Sequence, residues 1–181
     1  MPVNFAKYWR DILLPILRHD PPPIIPQAVV LQGHDVLLVK RDHPALWELP
    51  GGGMGPGESP ADTVRREVYE ETGVTVEVQE CLGWYERTGF RAHCSPVYVC
   101  RPTGGRLQPQ LDEVMSVRYF PLADLPGGMF PWYRSILQRD LSSTAARPLQ
   151  RTQHMGWRTL GQCLWLDFAN RWGLLDRRCL S

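Results

Sequence analysis

The chain has 181 residues, 43% of them apolar and 22% charged, with a net charge of +1. That is enough for one domain with a real core, and too near neutrality for bulk attraction to nucleic acid or an anionic membrane. The five cysteines are odd in number and contain no Cys-x-x-Cys pair, which argues against a disulfide framework or a zinc site and fits a reducing cytoplasm. No apolar run approaches the ~18 residues a membrane span needs. The opening MPVNFAKYWRD lacks the basic-then-apolar order of a secretion signal, so the expectation is a cytoplasmic protein with no membrane or nucleic-acid partner.

In chain order, Phe5, Trp9, Ile12, Leu13 and Ile16 recur at helical spacing behind a capping Asn4, predicting a helix over 4–19, kinked or cut short at Pro15. Pro21, Pro22, Pro23 and Pro26 make a stiff connector. Apolar, β-branched runs at 27–31 and 36–40, separated by Gln32-Gly33-His34-Asp35, predict a hairpin. Trp47-Glu48-Leu49 reads as a short strand stopped by Pro50. Strands are expected at 74–78, 82–87, 96–101 and 114–120, with turns at Thr88-Gly89 and Thr103-Gly104-Gly105. The remainder reads as helical: 132–141, a linker over 142–148, and a helix from His154 to Leu174. In that last helix Trp157, Leu160, Leu164, Phe168 and Trp172 form an apolar stripe, which the protomer's own core or a partner subunit is expected to cover.

The best specified stretch is Gly51 to Val76. Ser59 is an N-cap, Pro60 suits the first helical position and Asp62 suits a capping box. Gly73 stands where a left-handed residue closes a helix. At about 100° per residue, Glu67, Glu70 and Glu71 share an arc of roughly 100°, beside an apolar stripe of Ala61, Val64 and Val68. Carboxylates that close repel one another, so a cation is expected to offset them. Clustered hard oxygens select Mg²⁺ or Mn²⁺. Upstream, Gly51, Gly52, Gly53 and Gly55 let the backbone approach a ligand closely. The loop lacks both the Gly-Lys-Ser/Thr ending of a P-loop and the context of a dinucleotide fold.

Taken singly, these pieces are common: most Glu-rich helices are solvated surfaces. Their joint spacing is not common. Gly52, five residues, Glu58, seven residues, then Arg66-Glu67-Val68-Tyr69-Glu70-Glu71-Thr72-Gly73-Val74 resembles the Nudix box at every specified position. Chance agreement is on the order of 10⁻⁹ per window at ordinary residue usage.

The resemblance implies an α+β fold, an α/β/α sandwich around a mixed β-sheet, with core 27–126 flanked by helical extensions at 1–26 and 127–181. The C-terminal extension is expected on the core or at a dimer interface. It implies hydrolysis, with Mg²⁺ or Mn²⁺, of a diphosphate linkage in a nucleotide derivative such as a sugar nucleotide or a (deoxy)nucleoside triphosphate. By the same resemblance Glu67, Glu70, Glu71 and the Gly52 carbonyl would hold metal, and Glu67 or Glu71 would activate water. Arg66 would position a box glutamate, and Glu58 and Gly73 would serve as structural members. A later loop often adds an acid, for which Glu113 is the candidate. Outside the box, Trp47, Arg87, Phe90 and Arg91 are eligible for a substrate pocket. The rival expectation is a fold relative that binds a nucleotide without turnover.

Overall fold

A computed structural model describes residues 23–42, 44–90, 92–109, 114–172 and 174–175. The helix expected over 4–19 lies outside them.

The β-branched runs around Gly33 form Gln27–Gln32 (β1) and Asp35–Arg41 (β2), an antiparallel hairpin. Their side chains alternate between faces, as the two-residue strand period requires. Val29, Val36 and Leu38 enter one hydrophobic core; Ala28, Val30 and Leu37 enter another. Trp47–Glu48 (β3) pairs with β2. Pro60–Thr72 (α1) then lies on the second core through Val64 and Val68. Each fully buried valine contributes about 1.5–3 kcal/mol.

The boundaries of α1 are fixed by local chemistry. Ser59 Oγ accepts from the Asp62 N–H at 3.2 Å and donates to Asp62 Oδ2 at 2.6 Å. Gly73 adopts φ 72° and its N–H donates to the Tyr69 carbonyl. A left-handed residue there satisfies a carbonyl the helix would otherwise leave open.

Next come Val74–Gly89 (β4), His93–Gly105 (β5) and Val114–Pro121 (β6). The two strands expected at 74–78 and 82–87 are one strand of 16 residues. Register shifts at three places let it follow β5 throughout. Thr103-Gly104-Gly105 is strand rather than turn, paired to Val74 and Thr75.

Pro131–Ser135 (α2) runs into a π-helical turn, Ile136–Asp140. The remainder is not all helical: Leu149–Met155 forms a seventh strand (β7), parallel to β4 from Gly83 to Gly89. Trp157–Arg171 (α3) closes the described chain.

The strand order is β3-β2-β1-β5-β4-β7, with β6 also on β2. Parallel pairs β1–β5 and β4–β7 among antiparallel ones make the sheet mixed. One face carries α1. The other carries α2 and α3, through Tyr133, Ile136, Leu137, Cys163 and Leu166. This is the α+β sandwich expected. Asp140, fully buried, ties the second layer to the sheet: it accepts from Tyr85 Oη at 3.2 Å and from Arg151 at 3.3 Å.

In α3 the apolar stripe faces outward. The buried face is Cys163, Leu166, Asp167, Ala169 and Asn170, while Trp157, Leu164, Phe168 and Trp172 are exposed. Polar docking explains the orientation. Asp167 accepts from the Ala45 N–H at 2.6 Å, and Asn170 bonds the Ala45 carbonyl and, at 3.3 Å, Lys40. Among the described residues no helix is long and apolar enough to cross a membrane.

Candidate active site

The glycine-rich loop enters through a bridge between Gln27 and Gly51, and the Ala28 N–H bonds the Pro50 carbonyl. Gly51 has φ 150°, and a Cβ there would run into the Pro26 carbonyl. Gly52 lies against the box glutamate: a Cβ on it would stand 2.5–2.7 Å from the Glu67 carboxylate. These two glycines let backbone and carboxylate meet where any larger residue would hold them apart.

Two arginines partition the acidic groups. Arg66 grips Glu58 bidentately, Nε to Oε1 at 2.7 Å and Nη2 to Oε2 at 2.9 Å. Its Nη1 donates to Glu67 at 2.9 Å and to Glu70 at 2.8 Å, and its Nη2 reaches the Gly53 carbonyl at 3.0 Å. Glu58 also accepts from the Gly55 N–H at 2.7 Å and the Thr63 hydroxyl at 2.9 Å. The Arg66 bond, helped by Gly55, holds the Glu58 carboxyl down to about 2. Glu58 is thus a fixed anion that clamps the loop to α1.

Arg41 is the second cation. It ion-pairs with Glu48, donates to Glu71 Oε1 at 2.8 Å and reaches the Gly51 carbonyl at 3.3 Å. The other Glu71 oxygen accepts from the Gly51 N–H at 2.9 Å. Glu71 is only 2% exposed. Burial pushes its carboxyl up to about 8, against the pull of Arg41 and aided by the Glu48 charge. Burial also raises Glu67. The Arg41 guanidinium is held charged by Glu48 and Glu71.

The glutamates therefore do not form one continuous acidic stripe. Glu71 turns into the fold toward Arg41, while Glu67 and the exposed Glu70 share Arg66. Among the described residues no three carboxylates, imidazoles or thiols converge at metal-binding range. The donor chemistry nonetheless fits a hard divalent cation. The oxygens are carboxylates and backbone carbonyls, and a cationic nitrogen already bridges Glu67 and Glu70.

Arg41 and Glu48 escaped the sequence reading. The signal lay in strand alternation: Leu37, Val39 and Arg41 share one face of β2, and Glu48 pairs with Val39. Following that period one step beyond Lys40 points Arg41 toward α1.

Of the residues considered for substrate, Trp47 is core, edge-on to Phe120 at 4.7 Å between centroids. Arg87 is 2% exposed. Among the described residues its partners carry no carboxylate: Gln153 at 3.2 Å, His93 Nε2 at 2.8 Å, Gln27 at 3.3 Å and Tyr133 Oη at 3.4 Å. It stacks over Tyr133 and Trp132 with centroid distances of 4.8 and 5.5 Å. Arg91 and Glu113 lie outside the described residues. Phe90 does line a small, open apolar cleft, with Pro44, Phe130, Trp132, Met155, Leu160 and Leu164. The indole N–H groups of Trp132 and Trp47 are both buried without an acceptor. Trp132, which the sequence reading did not single out, thus lines the cleft. A chain of contacts joins cleft to loop: Trp132 under Arg87, Arg87 to Gln27, and Gln27 bridged to Gly51.

The NUDIX domain model matches residues 24–140. A MutT-like protein of Streptomyces ambofaciens is 42% identical over 78 residues, 43% of this chain and 50% of that protein. Human diphosphoinositol polyphosphate phosphohydrolase 3-beta is 44% identical over 70 residues, 38% of this chain and 43% of its own length. This chain thus spans half or less of either relative. The crystal structure of an ADP-ribose pyrophosphatase from Streptococcus suis superposes with a TM-score of 0.58 at 27% identity, covering 73% of this chain and 99% of that one. A glycine loop closed onto a capped glutamate helix, within a domain model matched along most of its strands, settles the kinship: the chain belongs to the Nudix hydrolase family.

Proposed function

We propose that the protein hydrolyses a diphosphate linkage in a nucleotide derivative, using Mg²⁺ or Mn²⁺. The observation that carries the reading is the meeting of Gly51 and Gly52 with Glu71 and Glu67. Backbone polar groups and carboxylates line one short loop there, and Arg41 and Arg66 balance their charge.

In this reading Glu67, Glu70, Glu71 and the Gly52 carbonyl hold the metal, which supplies charge neutralisation on phosphate oxygens and a polarised water. Arg66 aligns Glu67 and Glu70, while Glu58 fixes Arg66. Arg41 orients Glu71 and opposes, without overcoming, the burial that lifts its carboxyl to about 8. Glu67 and Glu71 are the two groups suited to take a proton from water, since burial lifts both toward neutrality. Glu113 is the candidate for an additional acid from a later loop.

The cleft supplies the substrate's other half. Phe130 and Trp132 stack at 4.6 Å between centroids, offering a planar apolar wall of the kind a nucleobase occupies. The relatives' names, spanning diphosphoinositol polyphosphates and ADP-ribose, do not choose the leaving moiety. The cleft favours a substrate with a planar base.

The test is a nucleotide panel with product identification in Mg²⁺ and Mn²⁺, run on the wild type, Glu67→Gln and Glu71→Gln. The expected result is metal-dependent release of a nucleoside monophosphate, reduced at least about 10³-fold in one variant. Tight nucleotide binding without turnover by the wild type would overturn hydrolysis in favour of a sensor.

A further inference from the structure

The outward face of α3 is apolar and has no part in the chemistry of the loop. Trp157, Trp165, Phe168 and Trp172 are 78%, 59%, 55% and 72% exposed. Trp157 stands edge-on to Phe90 at 4.7 Å between centroids, and Phe168 packs on Trp172 at 5.8 Å. At about 100° per residue, the four rings fall with Gly161 and Leu164 within roughly 100° of arc. That arc is continuous with the cleft, because Leu164 belongs to both.

The area is that of an interface. A side chain of this kind presents about 150–250 Å², so at these exposures the four rings offer roughly 400–650 Å² per copy. Leu164 and Leu174, 41% and 65% exposed, add to it. A stable interface takes about 800 Å² from each partner, and a patch this apolar on a small protein marks a surface that something covers.

The order of the residues says what covers it. Trp157, Gly161, Leu164, Trp165, Phe168 and Trp172 are separated by 4, 3, 1, 3 and 4 positions, a series that is the same in both directions. Such a face meets an antiparallel copy of itself in register, about a two-fold axis between Leu164 and Trp165. Gly161 then stands level with Phe168 of the partner subunit, and Trp157 with Trp172 of the partner subunit. Sizes match as well as heights. A Cβ on Gly161 would meet nothing within 4 Å, so a notch lies where the partner's Phe168 arrives. Glycine is unfavourable inside a helix, and its use there is the close approach of another chain. Leu164 and Trp165 flank the axis on opposite sides, so each meets its own counterpart.

We propose that two copies of the chain pair antiparallel through this face, and that the pairing completes the cleft. Leu164 lies on the flank of α3 that turns toward the cleft, with Leu160 and Cys163 beyond it. Leu164 of the partner subunit therefore joins the cleft wall beside it, and the partner's Phe168 fills the gap at Gly161. Apolar groups from both copies line the side of the cleft that is open in a single chain. Only the kinetic consequence rests on the cleft holding substrate, as in the function proposed above.

The experiment is sedimentation equilibrium of the full chain from nanomolar to high micromolar concentration, for the wild type, Phe168→Glu and Gly161→Glu. Both positions are exposed, so each monomer keeps its core, and circular dichroism with urea unfolding checks the fold of every sample. The expected result is a dimer in the wild type, with a dissociation constant at least about 100-fold weaker in either variant. Steady-state kinetics follow on the nucleotide that the panel identifies, at a concentration where only the wild type is dimeric. KM should be about tenfold higher in the variants with kcat within a few-fold. A wild type that stays monomeric at high micromolar concentration overturns the proposal, as does a dimer that survives Phe168→Glu. Monomeric variants with unchanged KM overturn the completion of the cleft. Absence of turnover in every sample counts against hydrolysis alone, since the mass does not depend on it.

Discussion

At the scale of single residues, Arg41 has the largest structural share for a group outside the box. It is the cation facing both Glu48 and the buried Glu71. Arg41→Ala leaves the Glu48 and Glu71 carboxyls without their donor and should lower stability by about 1–3 kcal/mol in urea unfolding, the cost of an unsatisfied buried acceptor. Arg41→Lys should recover part of that loss only, because one ammonium cannot bond Glu48, Glu71 and the Gly51 carbonyl at once.

Glu71 itself gives a pH signature. Its carboxyl lies near 8 in the folded chain against about 4.5 ordinarily, through burial first, with the Glu48 charge adding and Arg41 opposing. Between those values the folded state holds a proton that the unfolded state has released. Stability of the metal-free protein should therefore fall as pH rises from about 4.5 to 8, then level off. Tm measured in chelator from pH 5 to 9 checks this, and Glu71→Gln should flatten the profile. Gly52→Ala supplies a third test. Its Cβ meets only the flexible end of Glu67, so Tm should hardly move while metal-dependent turnover drops sharply.

The box glutamates were legible in the sequence because their spacing is written along one helix. Arg41 and Glu48 were not, because an ion pair between β2 and β3 exists only once those strands are side by side.

At the scale of elements, α1 shows what local chemistry can specify alone. Its limits at Pro60 and Thr72 follow from the Ser59 cap and the left-handed Gly73. Gly73→Ala places a methyl group against the Arg106 carbonyl at positive φ. The expected cost is about 1–2 kcal/mol, read as a lower urea midpoint with unchanged slope. The opposite case is β7. Leu149-Gln150-Arg151-Thr152-Gln153-His154-Met155 has only its two ends buried, so the apolar alternation that announces a strand is missing. What makes it a strand is its parallel register with Gly83 to Gly89, more than sixty residues earlier. The stripe of α3 is not covered by the described core, for a related reason. Apolar periodicity identified the helix, but the side that docks is set by Asp167 and Asn170 bonding the backbone of Ala45.

At the scale of the whole molecule, the sheet keeps two kinds of chemistry on separate layers. The acidic loop and α1 lie on one face, while the aromatic cleft lies between α2, α3 and the ends of β4 and β7. The chain Trp132–Arg87–Gln27–Gly51 runs between them through the sheet. Separation of layers predicts separation of effects. Trp132→Leu keeps apolar bulk but removes both the indole N–H and the cation–π face. It should raise KM about tenfold or more with kcat within a few-fold, since a lost base contact weakens ground and transition state alike. Steady-state kinetics on the identified substrate measure the split.

The late parallel strand also orders events in time. A ribosome that has released residue 121 has delivered β1 to β6 and α1, every partner that Arg41 and Arg66 need. Trp132, Met155 and Leu160 have yet to emerge. Synthesis exposes the N-terminal residues of a domain first, while the domain folds as a unit. In the function proposed above, the nascent chain thus exposes the residues assigned to phosphate before those assigned to the base.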